Sequence, residues 1–275
     1  MCKIGIIQGR LSKRPYPKLQ GFPTDTWEQE FKYAEEIGFY SIEWIFEKNR
    51  FKENPIWSKE GRQRINNIIK KTNVKVSSLC ADYFLENPFF RRINYSIKEN
   101  INILKELIKQ SSEIGVKVIL LPILENAEIR CEEDKKILYE VISQSLNILE
   151  DYDMNIGIET ELAADEYLNL VKMFNHNNVG IYYDTGNCAA KGYDMKSDME
   201  KLFNYIINIH IKDRLQNGGS VFLGTGDTNF KEGIPYLMKK GFDGPFILQA
   251  YYEDDFKNTA EYNYSYIKNL IKRGY

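Results

Sequence analysis

Histidine is nearly missing from this chain and cysteine is sparse: 275 residues contain two histidines and four cysteines. The cysteines, Cys2, Cys80, Cys131 and Cys188, are scattered and form no C-x-x-C pair. That spacing fits a reducing compartment better than a disulfide framework. Positive charge is not in excess either. With a formal net charge of −2, the chain offers no general surplus of basic groups to release counterions from phosphates, so nucleic acid is not expected as a partner. No run of ~18 apolar residues offers a membrane span. Met1-Cys2-Lys3 leads straight into a strand pattern without the apolar core of a signal peptide. The expected setting is soluble and cytoplasmic, with no membrane partner. Internal repeats, low-complexity tracts and linkers are also lacking, so residues 1–275 read as one domain, long enough to bury a large core.

What the sequence does contain is alternation. β-Branched and apolar runs of strand length fall near Lys3–Gln8, Tyr40–Trp44, Lys75–Cys80, Lys117–Pro122, Asn155–Glu159, Gly180–Asp184, Ile206–Lys212 and Pro245–Tyr251. Helical periods fill the gaps at Thr26–Ile37, Ser58–Lys71, Ser96–Ile114, Glu132–Asp151, Ala164–Phe174, Lys196–Phe203, Lys231–Lys240 and Thr259–Ile271. Strands alternating with helices imply parallel pairing through right-handed crossovers. Eight such units in one chain of this length predict an α/β fold, a single (β/α)8 TIM barrel. A doubly wound open sheet is the competing architecture, but the first strand runs into Gln8-Gly9-Arg10 without a glycine-rich nucleotide turn.

Four of the strand patterns stop at a side chain able to bind a metal: Glu159, Asp184, His210 and Gln249. Any one of them alone reads as a capped loop residue or a satisfied polar group. Together, at the carboxyl ends of strands 5 to 8, they predict an oxygen-rich cation site with one imidazole, because buried charge is costly unless paired or coordinated. Parity supports this. The residues two before each, Gly157, Tyr182, Asn208 and Ile247, share the inward face, while Ile158, Tyr183, Ile209 and Leu248 face the helices. His176 sits in a polar Asn-His-Asn-Asn turn and reads as solvated, whereas His210 lies in an apolar strand where an imidazole needs a partner.

The stretches Ile158-Glu159-Thr160, Tyr183-Asp184-Thr185-Gly186-Asn187, Ile209-His210-Ile211-Lys212-Asp213-Arg214 and Leu223-Gly224-Thr225-Gly226 resemble the sugar phosphate isomerase/epimerase family. These are xylose isomerase-like barrels that also include inosose dehydratase and endonuclease IV. The resemblance spans nearly the whole chain. It implies one divalent cation held by Glu, Asp, His and Glu, the first three roles falling on Glu159, Asp184 and His210. The last Glu is Gln249 here, and a substrate-contacting His three residues after the Asp is Asn187. Gln249 can lend a carbonyl oxygen to a metal but cannot take a proton, so a scheme with two metal-bound glutamate bases does not transfer intact. A three-metal DNA-repair site is not expected, for want of histidines.

An ion touching a carbonyl and its neighbouring hydroxyl acidifies the carbon between them and stabilises an enediolate. Oxygen ligands with one imidazole favour Mn²⁺, Mg²⁺ or Co²⁺, with Zn²⁺ less matched. Glu159 is the expected general base and Lys212, next inward after His210, the expected second proton-transfer group. Glu43 and Asp82, near the ends of strands 2 and 3, are alternatives for that second role and are expected to bind substrate hydroxyls. Asn187 joins them as a substrate contact, and Arg10 and Arg214, with Lys212, are placed to hold a phosphate or carboxylate. The G-x-G after strand 7 reads equally as a flexible loop or a ligand contact. Trp27, Trp44 and Trp57 read as core before sugar platforms. The expected activity is that of a metal-dependent sugar or sugar-phosphate isomerase or epimerase, acting on a small sugar or sugar phosphate. A keto-sugar or inosose dehydratase (a lyase) and a non-catalytic sugar-binding barrel are the alternatives. A homo-oligomer is compatible with the sequence but not dictated by it.

Overall fold

The computed structural model describes residues 3–13, 19–91 and 96–274; Cys2 lies outside them. Seven strands come first: β1 (Ile4–Ile7), β2 (Ser41–Ile45), β3 (Lys75–Cys80), β4 (Val118–Pro122), β5 (Asn155–Glu159), β6 (Val179–Asp184) and β7 (Ile206–Ile211). A small antiparallel hairpin of β8 (Asp213–Arg214) and β9 (Ser220–Val221) follows, and then β10 (Phe246–Leu248). The eight long-range strands pair in parallel and close in the order β1, β10, β7, β6, β5, β4, β3, β2. Ile4 stands opposite Phe246 where the ring shuts, which leaves no sheet edge and rules out the open doubly wound alternative. The fold is a (β/α)8 barrel.

The outer helices follow the apolar periods. They are Trp27–Ile37, Lys59–Thr72, Ile97–Ser112, Glu132–Ser143, Leu146–Asp151, Ala164–Lys172, Met195–Leu202, Phe230–Lys239 and Phe256–Lys272. One expectation is corrected. The helix expected over Glu132–Asp151 is two, because Ser145 N–H turns to Ile142 C=O at 2.8 Å, an i−3 bond that interrupts the ladder. Alternation is also less strict than the sequence suggests. Short helices Tyr83–Glu86 and Thr185–Ala190 and the β8–β9 hairpin crowd the carboxyl ends of β3, β6 and β7. None of the described helices is long and apolar enough to cross a membrane.

Parity sorts the core into two layers. Ile7, Ile45, Cys80, Val118, Leu120, Tyr182 and Ile247 fill the barrel interior. Ile158, Tyr183, Ile209 and Leu248, the expected outward neighbours, pack with the helices. Gly157 is a space requirement of the interior: a Cβ there would meet Tyr182 Cδ2 at 2.9 Å and Val118 Cγ1 at 3.3 Å. The absence of a side chain at Gly157 leaves room for the Tyr182 ring, whose hydroxyl reaches Glu43 on β2. The tryptophans are packing. Trp27 and Trp44 meet edge to face at 5.4 Å, and Trp57 stacks on Phe46 at 5.3 Å.

Candidate metal and active site

Glu159 and Asp184 are the last residues of β5 and β6, and His210 is the last but one of β7. Asp184 and His210 are direct register partners, so neighbouring strands present them side by side. One donor atom from each of Glu159, Asp184 and His210 lies within 4.8 Å of the others, and all three residues are buried. Gln249 follows β10, and its backbone N–H bonds Ile211 C=O at 3.0 Å, which extends the register by one residue and brings its side chain to the same mouth.

Hydrogen bonds aim each group. Asp184 caps the helix Thr185–Ala190, its Oδ1 accepting from Asn187 N–H at 2.7 Å. The Asn187 side chain donates Nδ2 to Glu159 Oε1 at 2.9 Å and accepts from Arg214 Nη1 at 3.0 Å. His210 directs Nε2 down into Glu43 at 2.5 Å. Lys212 Nζ lies 2.9 Å from Asp184 Oδ2 and donates to Gln249 Oε1 at 3.0 Å. Gln249 Nε2 donates to Gln20 at 2.9 Å, and Gln20 donates in turn to Asp82 at 2.8 Å.

The charges are set by burial and by one another. Burial pushes the Glu159 carboxyl up to about 8, helped by the nearby Asp184 charge and opposed by His210 and Lys212. Burial alone would raise Asp184 too, but Lys212 and His210 outweigh it and hold the carboxyl below its ordinary range. For His210 burial disfavours the cation, yet the Glu43 carboxylate reverses this and lifts the imidazole to about 10. Cys80 is pushed well above the usual thiol range by burial, with the Asp82 charge adding to it, so it is a protonated packing residue.

The donor set suits a divalent cation. His210 Nδ1 and Asp184 Oδ2 are buried and make no hydrogen bond, the carboxylate oxygen having the Lys212 ammonium as counter-ion. A buried nitrogen such as His210 Nδ1 is costly to leave without a partner unless something else satisfies it. The mouth opens into a cavity of about 560 Å³ lined by Arg10, Gln20, Asp82, Glu159, Asn187, Lys212, Arg214 and Gln249, among others. A groove of similar size between Phe51, Trp57 and Ile103 lies elsewhere, and none of the strand-end groups lines it.

One expected substrate contact, Glu43, is placed differently from its neighbours, and the glycine loop, open between two readings, has an internal role. Glu43 sits within β2, two residues short of its end, in the layer below the cavity and fully buried. Its oxygens receive His210 Nε2, the Tyr182 hydroxyl and, at 2.6 Å, the Ser78 hydroxyl. It supports the imidazole. The glycine loop after β7 is likewise committed: Asp213 Oδ2 accepts from Gly224 N and Gly226 N at 2.9 Å, and Oδ1 from Thr228 N at 3.1 Å. A Cβ at Gly226 would stand 2.3 Å from Asp213 Oδ1. The glycines serve an internal carboxylate, and that cradle fixes the hairpin carrying Arg214. Arg10 and Arg214 do line the cavity, each anchored by backbone: Arg10 to Ala250 O at 3.0 Å and Leu19 O at 2.9 Å, Arg214 to Gly218 O at 2.9 Å. Gln20 had no sequence signal, since it lies in an aperiodic loop between β1 and the first helix.

A family model described as the xylose isomerase-like TIM barrel matches residues 31–270, and the chain belongs to that family. An L-ribulose-5-phosphate 3-epimerase of Shigella flexneri is 24% identical over 251 residues, covering 86% of each chain. Among solved structures, the IOLI protein with a bound zinc atom superposes with a TM-score of 0.76 at 15% identity, covering 99% of both chains. A xylose isomerase-like barrel of Mycobacterium smegmatis in complex with magnesium gives 0.73 at 16% identity, over 100% of this chain and 98% of that one.

Proposed function

We propose that this chain, acting as one barrel domain, is a divalent-metal-dependent epimerase or isomerase of a sugar or sugar phosphate. The observation that carries the reading is the convergence of Glu159, Asp184 and His210 at adjacent strand ends, with His210 Nδ1 buried and without a hydrogen bond. The likeness to a protein named as an L-ribulose-5-phosphate 3-epimerase supports ketoses and their phosphates as the first substrates to try. Glu159, Asp184 and His210 would hold the ion, with the Gln249 carbonyl as a fourth, neutral donor. Mn²⁺, Mg²⁺ and Co²⁺ suit this oxygen-rich set best, and Zn²⁺ is compatible with it. The chemistry supplied by a bound ion is Lewis-acid stabilisation of the charge that develops when the carbon beside a carbonyl loses its proton.

The residues divide the remaining work. Glu159 takes the proton from that carbon: it lines the cavity, and the cation it helps to hold would keep it ionised and ready to act as base. Asn187 fixes its Oε1, so the base enters the cavity in one orientation. Lys212 lines the same cavity beyond β7 and delivers a proton to the other face of the planar enediolate, which inverts the carbon. If Glu159 alone both removes and returns the proton, the outcome is transfer between adjacent carbons. Asp82 holds substrate hydroxyls, and Arg10 and Arg214, with their guanidinium groups fixed by carbonyls, face the anionic end.

The test is to load the protein with Mn²⁺ and incubate it in D₂O with a panel of ketoses and ketose phosphates, reading products by proton NMR and mass spectrometry. One C–H exchanges for deuterium and a diastereomer or positional isomer appears with no loss of water. Glu159→Gln keeps the melting temperature and abolishes exchange. A product lighter by one water moves the assignment to a dehydratase. Sugar binding without exchange moves it to a binding barrel.

A further inference from the structure

Lys212 stands where a cation would. Its Nζ is 2.9 Å from Asp184 Oδ2 and 3.0 Å from Gln249 Oε1. The side chain is only 14% exposed, so its charge is largely withdrawn from water and depends on those two oxygens. Its backbone is pinned, with Lys212 N–H bonding Thr185 Oγ1 at 3.0 Å and that hydroxyl donating back to Lys212 C=O at 2.7 Å. The ammonium can therefore leave only by rotation of its own side chain. Gln249 is oriented just as firmly. Its amide nitrogen donates to Gln20, which is itself held by Asp82, and this turns the Gln249 carbonyl toward Lys212. One ammonium thus takes the free Asp184 oxygen and the neutral donor across the mouth.

We propose that Lys212 is a built-in competitor for the metal: its ammonium and a divalent ion exchange for Asp184 Oδ2 and the Gln249 carbonyl, and ion binding turns the ammonium into the cavity to meet the substrate. The proposal rests on the metal-site reading above. Like charges a few ångströms apart repel, so each cation weakens the other's hold on the same oxygens. A neutral amide at position 249 favours such an exchange, since it adds no second fixed charge to hold either cation. The ion then binds more weakly than its buried ligands alone would allow, and the lysine is free for chemistry only when the ion is in place.

Metal-stripped wild type, Lys212→Met and Lys212→Gln are titrated with Mn²⁺ by calorimetry and by the electron paramagnetic resonance of the free ion, after circular dichroism melts have shown each to be folded. The variants bind Mn²⁺ about tenfold or more tightly than wild type, as loss of an adjacent positive charge requires. Binding by the variants with none by wild type is the extreme form of the same result. Equal or weaker binding by the folded variants overturns the competition while leaving the metal site standing. No binding by any of the three removes the metal reading and the competition with it. A second measurement needs no substitution: labelling of Lys212 by an amine-reactive reagent, quantified on its peptide by mass spectrometry, rises when Mn²⁺ is added to wild type. Unchanged or reduced labelling overturns the exchange.

Discussion

His210 gives its Nε2 to Glu43 at 2.5 Å, in a layer where neither side chain has exposed surface. That bond decides which nitrogen is left for the site. With Nε2 committed downward, Nδ1 faces Asp184 Oδ2 at 3.7 Å and is the one nitrogen the imidazole can offer to the mouth. Glu43 is in turn gripped by Tyr182 and Ser78, so the ring is oriented from below by a hydrogen-bonded floor.

Glu43→Gln tests that floor. The substitution keeps the shape but removes the largest charge that offsets burial of the imidazolium, so the His210 pKa falls from about 10, with Asp184 and Glu159 still opposing the fall. The chain has two histidines, so the ring-nitrogen NMR shifts of metal-free protein resolve His210 readily. Turning an acceptor into a donor against the Tyr182 and Ser78 hydroxyls costs about 1–3 kcal/mol, read by urea unfolding. An unchanged His210 titration would show that Glu43 does not set its charge.

Asn187→Ala removes the donor that steadies Glu159 Oε1. Hydrogen bonding to a carboxylate favours the charged form, so its loss raises the Glu159 pKa further. A general base with a higher pKa is lost at higher pH. The acid limb of the kcat/KM profile moves upward, and kcat falls about tenfold or more at neutral pH as the base loses its orientation. Asn187→Asp, which replaces the donor with a charge, is worse than Ala. A fall in rate with no movement of the acid limb would assign Asn187 to substrate contact alone.

The barrel and its strand ends were readable in the sequence because barrel interiors impose a period of two. Glu159, Asp184 and His210 share parity with Gly157, Tyr182 and Asn208, and apolar neighbours mark the other face. Depth was not readable. Glu43 is in the right parity to point inward, but it lies two residues before the end of β2, beyond a register shift between Ile42 and Glu43 that no pattern announces. Gln20 reaches Asp82 and Gln249 from a loop whose path is set by tertiary contacts. The glycine loop was ambiguous for a similar reason: glycines permit a cradle, but only the fold shows that Asp213 fills it.

Glu30 predicts a pH dependence of stability that does not involve the candidate metal-binding triad. It accepts from Gly9 N at 2.9 Å and Leu11 N at 3.2 Å, flanking Arg10, yet its complete burial outweighs these bonds and lifts its pKa from 4.5 to about 7. A raised carboxyl pKa means that the native state binds the proton more tightly than the unfolded chain. The stabilisation is whole below pH 4.5 and is lost as pH rises to about 7. Glu30 therefore contributes a loss of roughly 3 kcal/mol across that window. Chemical denaturation of wild type and Glu30→Gln at steps from pH 4.5 to 8 shows the wild-type curve falling by that much more. Parallel curves would mean that Glu30 stays ionised in the fold.

Asp213→Asn tests whether the glycine loop is held by a carboxylate. The ionised side chain takes three backbone N–H groups, from Gly224, Gly226 and Thr228. An amide can accept with one atom only, and its NH₂ then opposes the remaining donors. Charge-assisted bonds of this kind are worth about 1.5–3 kcal/mol each, so the net loss is at least roughly 2 kcal/mol and the melting temperature falls by about 4–8 °C. Hydrogen exchange locates the effect: the amides of residues 224–228 lose protection, while those of β5 and β6, on the far side of β7, keep theirs. Because Asp227 N–H bonds Arg214 C=O at 2.9 Å, loosening of the cradle passes to the hairpin that carries Arg214, and affinity for an anionic sugar falls with it. Unaltered exchange over 224–228 would show that the loop folds without the Asp213 charge.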